Sequence, residues 1–262
     1  MREDFLGVPI DLIDLEETAG RAEEAMRSHC RLQHVALNVA KFVHMQANNE
    51  LRDDVLSSDI IGVDGMGIVA GARLFGIKVP ERVAGVDLME RLIELCAAKG
   101  YQPYFLGAKE DVLAAAIHNL SRRFPKLKIA GFQHGYYPGS AEAEVVEAIR
   151  QSRADCLFIG MPTPRKERFL AAYKPVLDIP FIMGVGGGID ILAGLTKRAP
   201  NWMQAAGLEW LYRIIQEPRR MWKRYLTTNV AFAVILVREF LKSPHRKGMK
   251  RTLQPLSTVR PK

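Results

Sequence analysis

At 262 residues, 48% hydrophobic and 25% charged, the chain has the apolar content for one large globular body, which excludes a disordered chain. Its charge of +8 is concentrated: residues 205–262 hold 13 of the 37 Lys and Arg against 3 of the 29 Asp and Glu, a net +10, so the first 204 residues sum to −2. That asymmetry argues against a nucleic-acid-binding body and for one basic element that meets phosphate or anionic lipid.

Cys30, Cys96 and Cys156 are odd in number and widely spaced, so neither a disulfide framework nor a zinc site is suggested, and a reducing cytoplasm fits them. The opening MREDFLGVPIDLID is acidic and lacks the basic and apolar regions of a secretory signal, so no export is expected.

The first strand is predicted at HVALN (34–38), ending in Asn38, and the next at DIIGVDG (59–65), which delivers Asp64 into a glycine turn that opens a helix. At a strand end Asp64 reads as a general base, or alternatively as the cap of the following helix. Gly65, Gly67 and Ala70 also satisfy the dinucleotide fingerprint G-x-G-x-x-A, so a nicotinamide-dependent oxidoreductase is an alternative. Against it, Asp64 brings a negative charge towards a bound pyrophosphate.

PERVAGVDL (80–88) then presents Arg82 in a loop, suited to a phosphate or carboxylate and equally to a surface ion pair. Strands follow at YQPYFLG (101–107), LKIAGF (127–132), DCLFIGM (155–161) and PFIMGVGG (180–187), with helices of three- and four-residue apolar spacing at 87–100 and 140–152 between them. This rhythm predicts an α/β fold with a mostly parallel sheet. Ligands of open parallel sheets sit beyond the carboxyl ends of the strands, which makes Asn38, Asp64, Gly107, Gly135 and Gly186 candidate site positions. In FIGMPTPRKERFL (158–170), Arg165, Lys166 and Glu167 start a helix and read either as an anion site or as a solvated first turn. IMGVGGGIDILAG (182–194) places Asp190 after three glycines, where a nucleotide or sugar ring can lie against the backbone.

From about residue 195 the character changes to two or three basic helices, with Pro218 at a first-turn position. Trp222, Leu226, Val230, Ala233, Val237 and Leu241 fall on one helical face. The longest apolar run, VAFAVILV (230–237), is too short for a bilayer span of roughly 20 residues, so the helix is expected to lie in the membrane interface or, alternatively, to pack on the core. A non-catalytic membrane or nucleic-acid adaptor built on this tail is a further alternative. No D-x-D pair is present, and the six histidines form no ligand set, so no metal and no cofactor is expected. Arginines would then neutralise a leaving diphosphate.

In this order, Asn38, VDGMGIVAGARLFG, ERVAGVDL, YFLGAKEDV, GYY, the turn before Glu167, GVGGGIDILAG, RAP and GLEWLYRIIQEPRRMWKRY resemble the WecG/TagA/CpsF family of bacterial glycosyltransferases, over residues about 5 to 225. The resemblance implies a Rossmann-like domain at 1–200, a membrane-associating helical appendage at 201–245 and a disordered tail at 246–262. It implies inverting, metal-independent transfer from a UDP-sugar, typically N-acetylmannosamine, to an undecaprenyl-diphosphate-linked sugar in cell-surface polysaccharide synthesis. The protein is expected to sit peripherally at the inner face of the cell membrane, to bind no nucleic acid and to be able to form a homo-oligomer. Asp64 falls on the family's catalytic base. Asn38, Arg82, Gly107, Tyr136, Lys166, Gly186 and Asp190 are read as substrate-binding, and Arg213, Arg220 and Arg224 as lid arginines for the diphosphates. Two positions depart from the family pattern: Ala36 stands where Thr is frequent, and Lys166 where Gln is frequent. Both change hydrogen bonding to the sugar, which leaves N-acetylmannosamine, glucose and a uronic acid open as donors.

Overall fold

The computed structural model describes residues 1–242, apart from the side chains of Ala205 and Arg220, so the tail expected at 246–262 lies outside the described residues. A hairpin of β1 (Arg2–Phe5) and β2 (Val8–Asp11) opens the chain, followed by α1 (Leu15–Ser28), β3 (Leu32–Leu37), α2 (Val39–Ala47) and α3 (Asn49–Leu56). Then come β4 (Ile60–Val63), α4 (Met66–Leu74), α5 (Gly85–Lys99), β5 (Pro103–Gly107), α6 (Glu110–Arg123), β6 (Gly131–Gln133) and α7 (Glu142–Ser152). The body closes with β7 (Cys156–Gly160), α8 (Arg165–Leu177), β8 (Phe181–Gly184) and α9 (Gly188–Leu192), before α10 (Asn201–Ala205), α11 (Glu209–Gln216) and α12 (Pro218–Lys242).

Each of the six strands expected from the apolar runs has a counterpart, although β6 shares only Gly131 and Phe132 with the run expected at 127–132, and the eight strands form one sheet in the order β1-β2-β4-β3-β8-β7-β5-β6. Every pairing is parallel except β1 with β2. The fold is Rossmann-like, with helices on both faces. On one face Phe105, Phe158, Phe181 and Met183 bury against α1, α5 and α6. On the other, Val35, Leu37, Ile61 and Val63 bury under α2 to α4, and Leu106, Leu157 and Ile159 under α7 and α8. The chain runs from β3 outward to β4, crosses to β5, and only later fills the gap with β7 and β8. That reversal puts a topological switch point at the carboxyl ends of β3 and β8, the usual ligand position in such sheets.

Helix α12 begins at Pro218, the position expected from its missing N–H. Its two sides differ. Met221, Thr228 and Phe232 are buried, and Phe232 stacks edge-on against Phe42 of α2 at 5.5 Å. Trp222, Leu226, Val230, Val234, Val237 and Leu241 are exposed. Among the described residues no helix is long and apolar enough to cross a membrane.

Candidate active site

Asp64 follows β4 directly, its backbone N–H donating to the Leu37 carbonyl at 3.0 Å, so it stands beside Asn38 at the end of the neighbouring strand. It does not cap α4, whose N-cap is Gly65 with no side-chain hydrogen bond. Its Oδ1 instead faces the start of α5, where the Gly85 N–H approaches at 3.4 Å. Burial pushes the Asp64 carboxyl above its ordinary range, Glu209 adds to that, and Arg213, Arg82 and the Gly85 N–H pull against it.

The loop after α4 carries Arg82 to this point because the Val83 N–H joins the Val63 carbonyl at 2.9 Å. The Arg82 guanidinium donates to Glu209 of α11 at 2.9 Å, 127 residues away in sequence. Arg198 holds Asp87 of α5 through two nitrogens at 2.6 and 3.1 Å, and its Nε lies 3.5 Å from Glu209. Arg213, one turn along α11, lies 3.9 Å from the same carboxylate. Burial raises the Glu209 carboxyl, but the Arg82 hydrogen bond and the charges of Arg198 and Arg213 outweigh it and hold Glu209 below its ordinary range. Glu209, Arg198 and Asp87 were not singled out from sequence. Their one local signal is the i,i+4 spacing of Glu209 and Arg213.

The remaining predicted positions, apart from the arginines of α12, fall at or beyond the carboxyl ends of the strands. Asn38 caps α2, its Oδ1 accepting from the Lys41 N–H at 3.0 Å. Gly107 has φ +133 and pairs with Gly160, and a Cβ there would come within 2.5 Å of the Gly160 backbone, so this floor is built from bare main chain. Gly135 packs against Gly107 and its carbonyl accepts from Arg165 at 2.5 Å. Tyr136 is exposed beside it, and Gly186 takes φ +51 in the turn after β8. Asp190 lies in the first turn of α9, its carboxylate over Gly187. Lys166 and Glu167 are buried rather than solvated, and they meet Lys41 of α2. Arg224 is exposed on α12 with its guanidinium over the Tyr225 ring and, among the described residues, makes no ion pair with the Asp64 group. The side chain of Arg220 lies outside the described residues.

The dinucleotide fingerprint has another explanation. A Cβ on Gly67 would come within 2.5 Å of Val39 and one on Gly65 within 3.4 Å of Asn38, so these glycines let the start of α4 pack closely against the start of α2; Gly71, just outside the fingerprint, likewise lies where a Cβ would come within 3.0 Å of Phe5 and Phe232. Among the described residues no three His, Cys, Asp or Glu side chains converge as metal ligands.

Fold and site define an α/β enzyme that gathers a half-buried carboxylate and arginines at the carboxyl edge of a parallel sheet. Residues 3–246 match the model of the Glycosyl transferase WecG/TagA/CpsF family, and the chain belongs to that family of glycosyltransferases. It is 35% identical over 175 residues to an N-acetylglucosaminyldiphosphoundecaprenol N-acetyl-beta-D-mannosaminyltransferase of Bacillus subtilis (strain 168), a match spanning 66% of this chain and 67% of the relative. A relative of the same name from Bacillus spizizenii (strain ATCC 23059 / NRRL B-14472 / W23) is 30% identical over 250 residues, 91% of this chain and 93% of its own length.

Proposed function

We propose that the enzyme moves a hexose from a UDP-sugar to a sugar carried on a polyprenyl diphosphate, with inversion and without a metal, at the inner face of the cell membrane. The observation that carries this reading is Asp64: a carboxylate whose proton affinity is raised by burial, at a strand end, within the field of Arg82 and Arg213. The acceptor hydroxyl attacks the anomeric carbon from the face opposite the nucleotide, the bond from that carbon to the diphosphate oxygen breaks, and UDP leaves with the electron pair. Asp64 takes the hydroxyl proton. Arg82, Arg198 and Arg213, gathered around Glu209, supply the positive charge that the departing diphosphate requires, which supports a reaction that needs no divalent ion. The names of the two Bacillus relatives support N-acetylglucosaminyl-diphosphoundecaprenol as the acceptor class. The exposed apolar side of α12, next to exposed Arg219, Lys223 and Arg224, supports docking on anionic lipid.

The test is mass spectrometry of short-chain polyprenyl-diphosphate N-acetylglucosamine incubated with individual UDP-sugars and EDTA. One donor is expected to give a disaccharide product and stoichiometric UDP in the presence of chelator. Activity that vanishes with EDTA and returns with magnesium or manganese overturns metal independence, and the absence of product from every UDP-sugar overturns the reading as a whole.

A further inference from the structure

Glu209, the first residue of α11, is a carboxylate that the transfer reaction leaves unused, yet it sits among the three guanidinium groups that the reaction requires. Its two oxygens are engaged differently. Oε2 accepts from Arg82 Nη1 at 2.9 Å, whereas Oε1 stands 3.5 Å from Arg198 Nε and 3.9 Å from Arg213 Nη2. Arg198 Nε is buried and forms no hydrogen bond, although both terminal nitrogens of the same guanidinium are committed to Asp87 and Gln204. One carboxylate is thus stretched across three cations and satisfies only Arg82 at hydrogen-bond distance. The group is also within reach of solvent, with the Arg213 side chain 31% exposed.

The charges around Glu209 already balance. The cations are Arg82 from the loop after α4, Arg198 from the loop after α9 and Arg213 of α11 itself. Against them stand Glu209, Asp64 at the end of β4 and Asp87 of α5, with Glu90, one turn along α5, acting on Arg198 from further away. A diphosphate brings at least two more negative charges, so it cannot simply be added to this group; a carboxylate has to give way. Asp87 is gripped by two nitrogens of Arg198, and Asp64 is required to take the proton. Glu209, with one close bond and two long contacts, is the carboxylate most easily displaced. A phosphate oxygen that replaces its Oε1 gains the hydrogen bonds left unmade at Arg198 and Arg213.

We infer that Glu209 is a positioning residue that competes internally with the diphosphate: it holds Arg82, Arg198 and Arg213 together before the donor binds, yields them to the nucleotide, and reclaims them to drive UDP out after transfer. This rests on the glycosyltransfer reading above. The consequence is a change of sign. Removing the charge of Glu209 should tighten the binding of UDP, because a like charge beside the diphosphate is lost while the arginines stay in place. A purely structural ion pair makes the opposite prediction: without it the arginines scatter, and every phosphate-bearing ligand binds more weakly.

The experiment is titration calorimetry of UDP and UMP on the full chain, wild type and Glu209→Gln, with a urea midpoint for each protein. The amide keeps the shape and an oxygen for Arg82 but carries no charge. Glu209→Gln is expected to bind UDP about tenfold tighter than the wild type does, and UMP by a clearly smaller factor, since one like charge near the second phosphate has gone. With the donor that gives product in the transfer assay, UDP should inhibit the variant at about tenfold lower concentration and kcat should fall, because retained UDP delays each cycle. UDP affinity that is unchanged or weaker in a variant with the wild-type urea midpoint overturns the inference, as does a gain shared equally by UMP. The wild type supplies an arm that needs no variant to fold. Three unengaged guanidinium groups would each favour UDP over UMP by about tenfold or more, so a wild-type preference beyond about a hundredfold overturns the inference, and a smaller one is expected. If neither UDP nor UMP binds, the glycosyltransfer reading fails instead.

Discussion

Asp64 is the residue on which the proposed chemistry turns, and its environment makes a pH-dependent prediction. A general base works only when ionised, so turnover should fall as pH drops through its pKa, and burial raises that pKa above the ordinary 3.8. Arg82 is one of the charges holding the rise in check, so Arg82→Ala should move the acid limb of the rate profile to higher pH as well as lower the rate. Asp64→Asn keeps the shape but cannot accept the proton. Its turnover should fall by about 10²–10⁴, the usual worth of general-base catalysis, with UDP affinity retained. Near-normal turnover in the purified variant would refute the assignment. Asp64, Asn38 and Arg82 were legible in the sequence because strand ends and the turns that follow them are marked locally by Gly, Asn and Asp. Lys41, Arg198 and Glu209 were not, because each gains its meaning from a partner brought in by the fold, as in the Arg82 to Glu209 pair 127 residues apart. Lys166 was visible as an anomaly, but as a first-turn basic residue it read as equally solvated. Its burial against Gly184 and Glu167 is what changes its chemistry.

Among the elements, α11 and α12 carry the information that periodicity alone left open. Helix α11 is tied to the body by charge, through Glu209 on Arg82 and Arg198, so the carboxylate occupies guanidinium groups that the diphosphate is proposed to use. On that proposal Glu209 is the resident counter-ion of the site, to be shared or displaced when a stronger anion arrives. Helix α12 is tied by packing. The expected face at Trp222, Leu226, Val230, Ala233, Val237 and Leu241 is the outward one, and a second, inward row centred on Phe232 seats the helix on Phe5 and Phe42. The sequence reading weighed membrane against core as alternatives for one apolar face, whereas the helix has two. Phe232→Ala should cost about 3–5 kcal/mol in stability, the range for a buried Phe, measured as a shift of the urea midpoint. A loss below about 1 kcal/mol would mean that α12 is not seated as described.

At the scale of the whole molecule, the parallel sheet was legible because buried parallel strands are apolar runs, as β3, β4, β5, β7 and β8 are, whereas the edge strand β6, GFQ, is half-exposed and was marked only by the apolar residues before it. The β1–β2 hairpin escaped because REDF and VPID are four residues each and partly charged, and its turn is made by Leu6 and Gly7, both at positive φ. The hairpin matters to the assembly. Phe5 sits at 0% exposure against Phe232, so the first strand of the chain and its last described helix share one core. This arrangement separates stability from membrane docking. Leu226, Val230 and Val237 are each more than half exposed, so replacing all three with Ser should leave the urea midpoint nearly unchanged. If these side chains enter the lipid interface, at about 1 kcal/mol apiece the triple variant should lose on the order of a hundredfold in partitioning onto phosphatidylglycerol-containing vesicles in a sedimentation assay. Turnover on a soluble short-chain acceptor should persist, because none of the three touches the Asp64 group. The charged side of the same helix predicts an additional weakening of wild-type binding as salt rises, each surface Lys or Arg contributing about 1 kcal/mol before screening. Vesicle binding that survives the triple substitution but vanishes in salt would show that charge alone anchors the protein and that the apolar face of α12 serves some other surface.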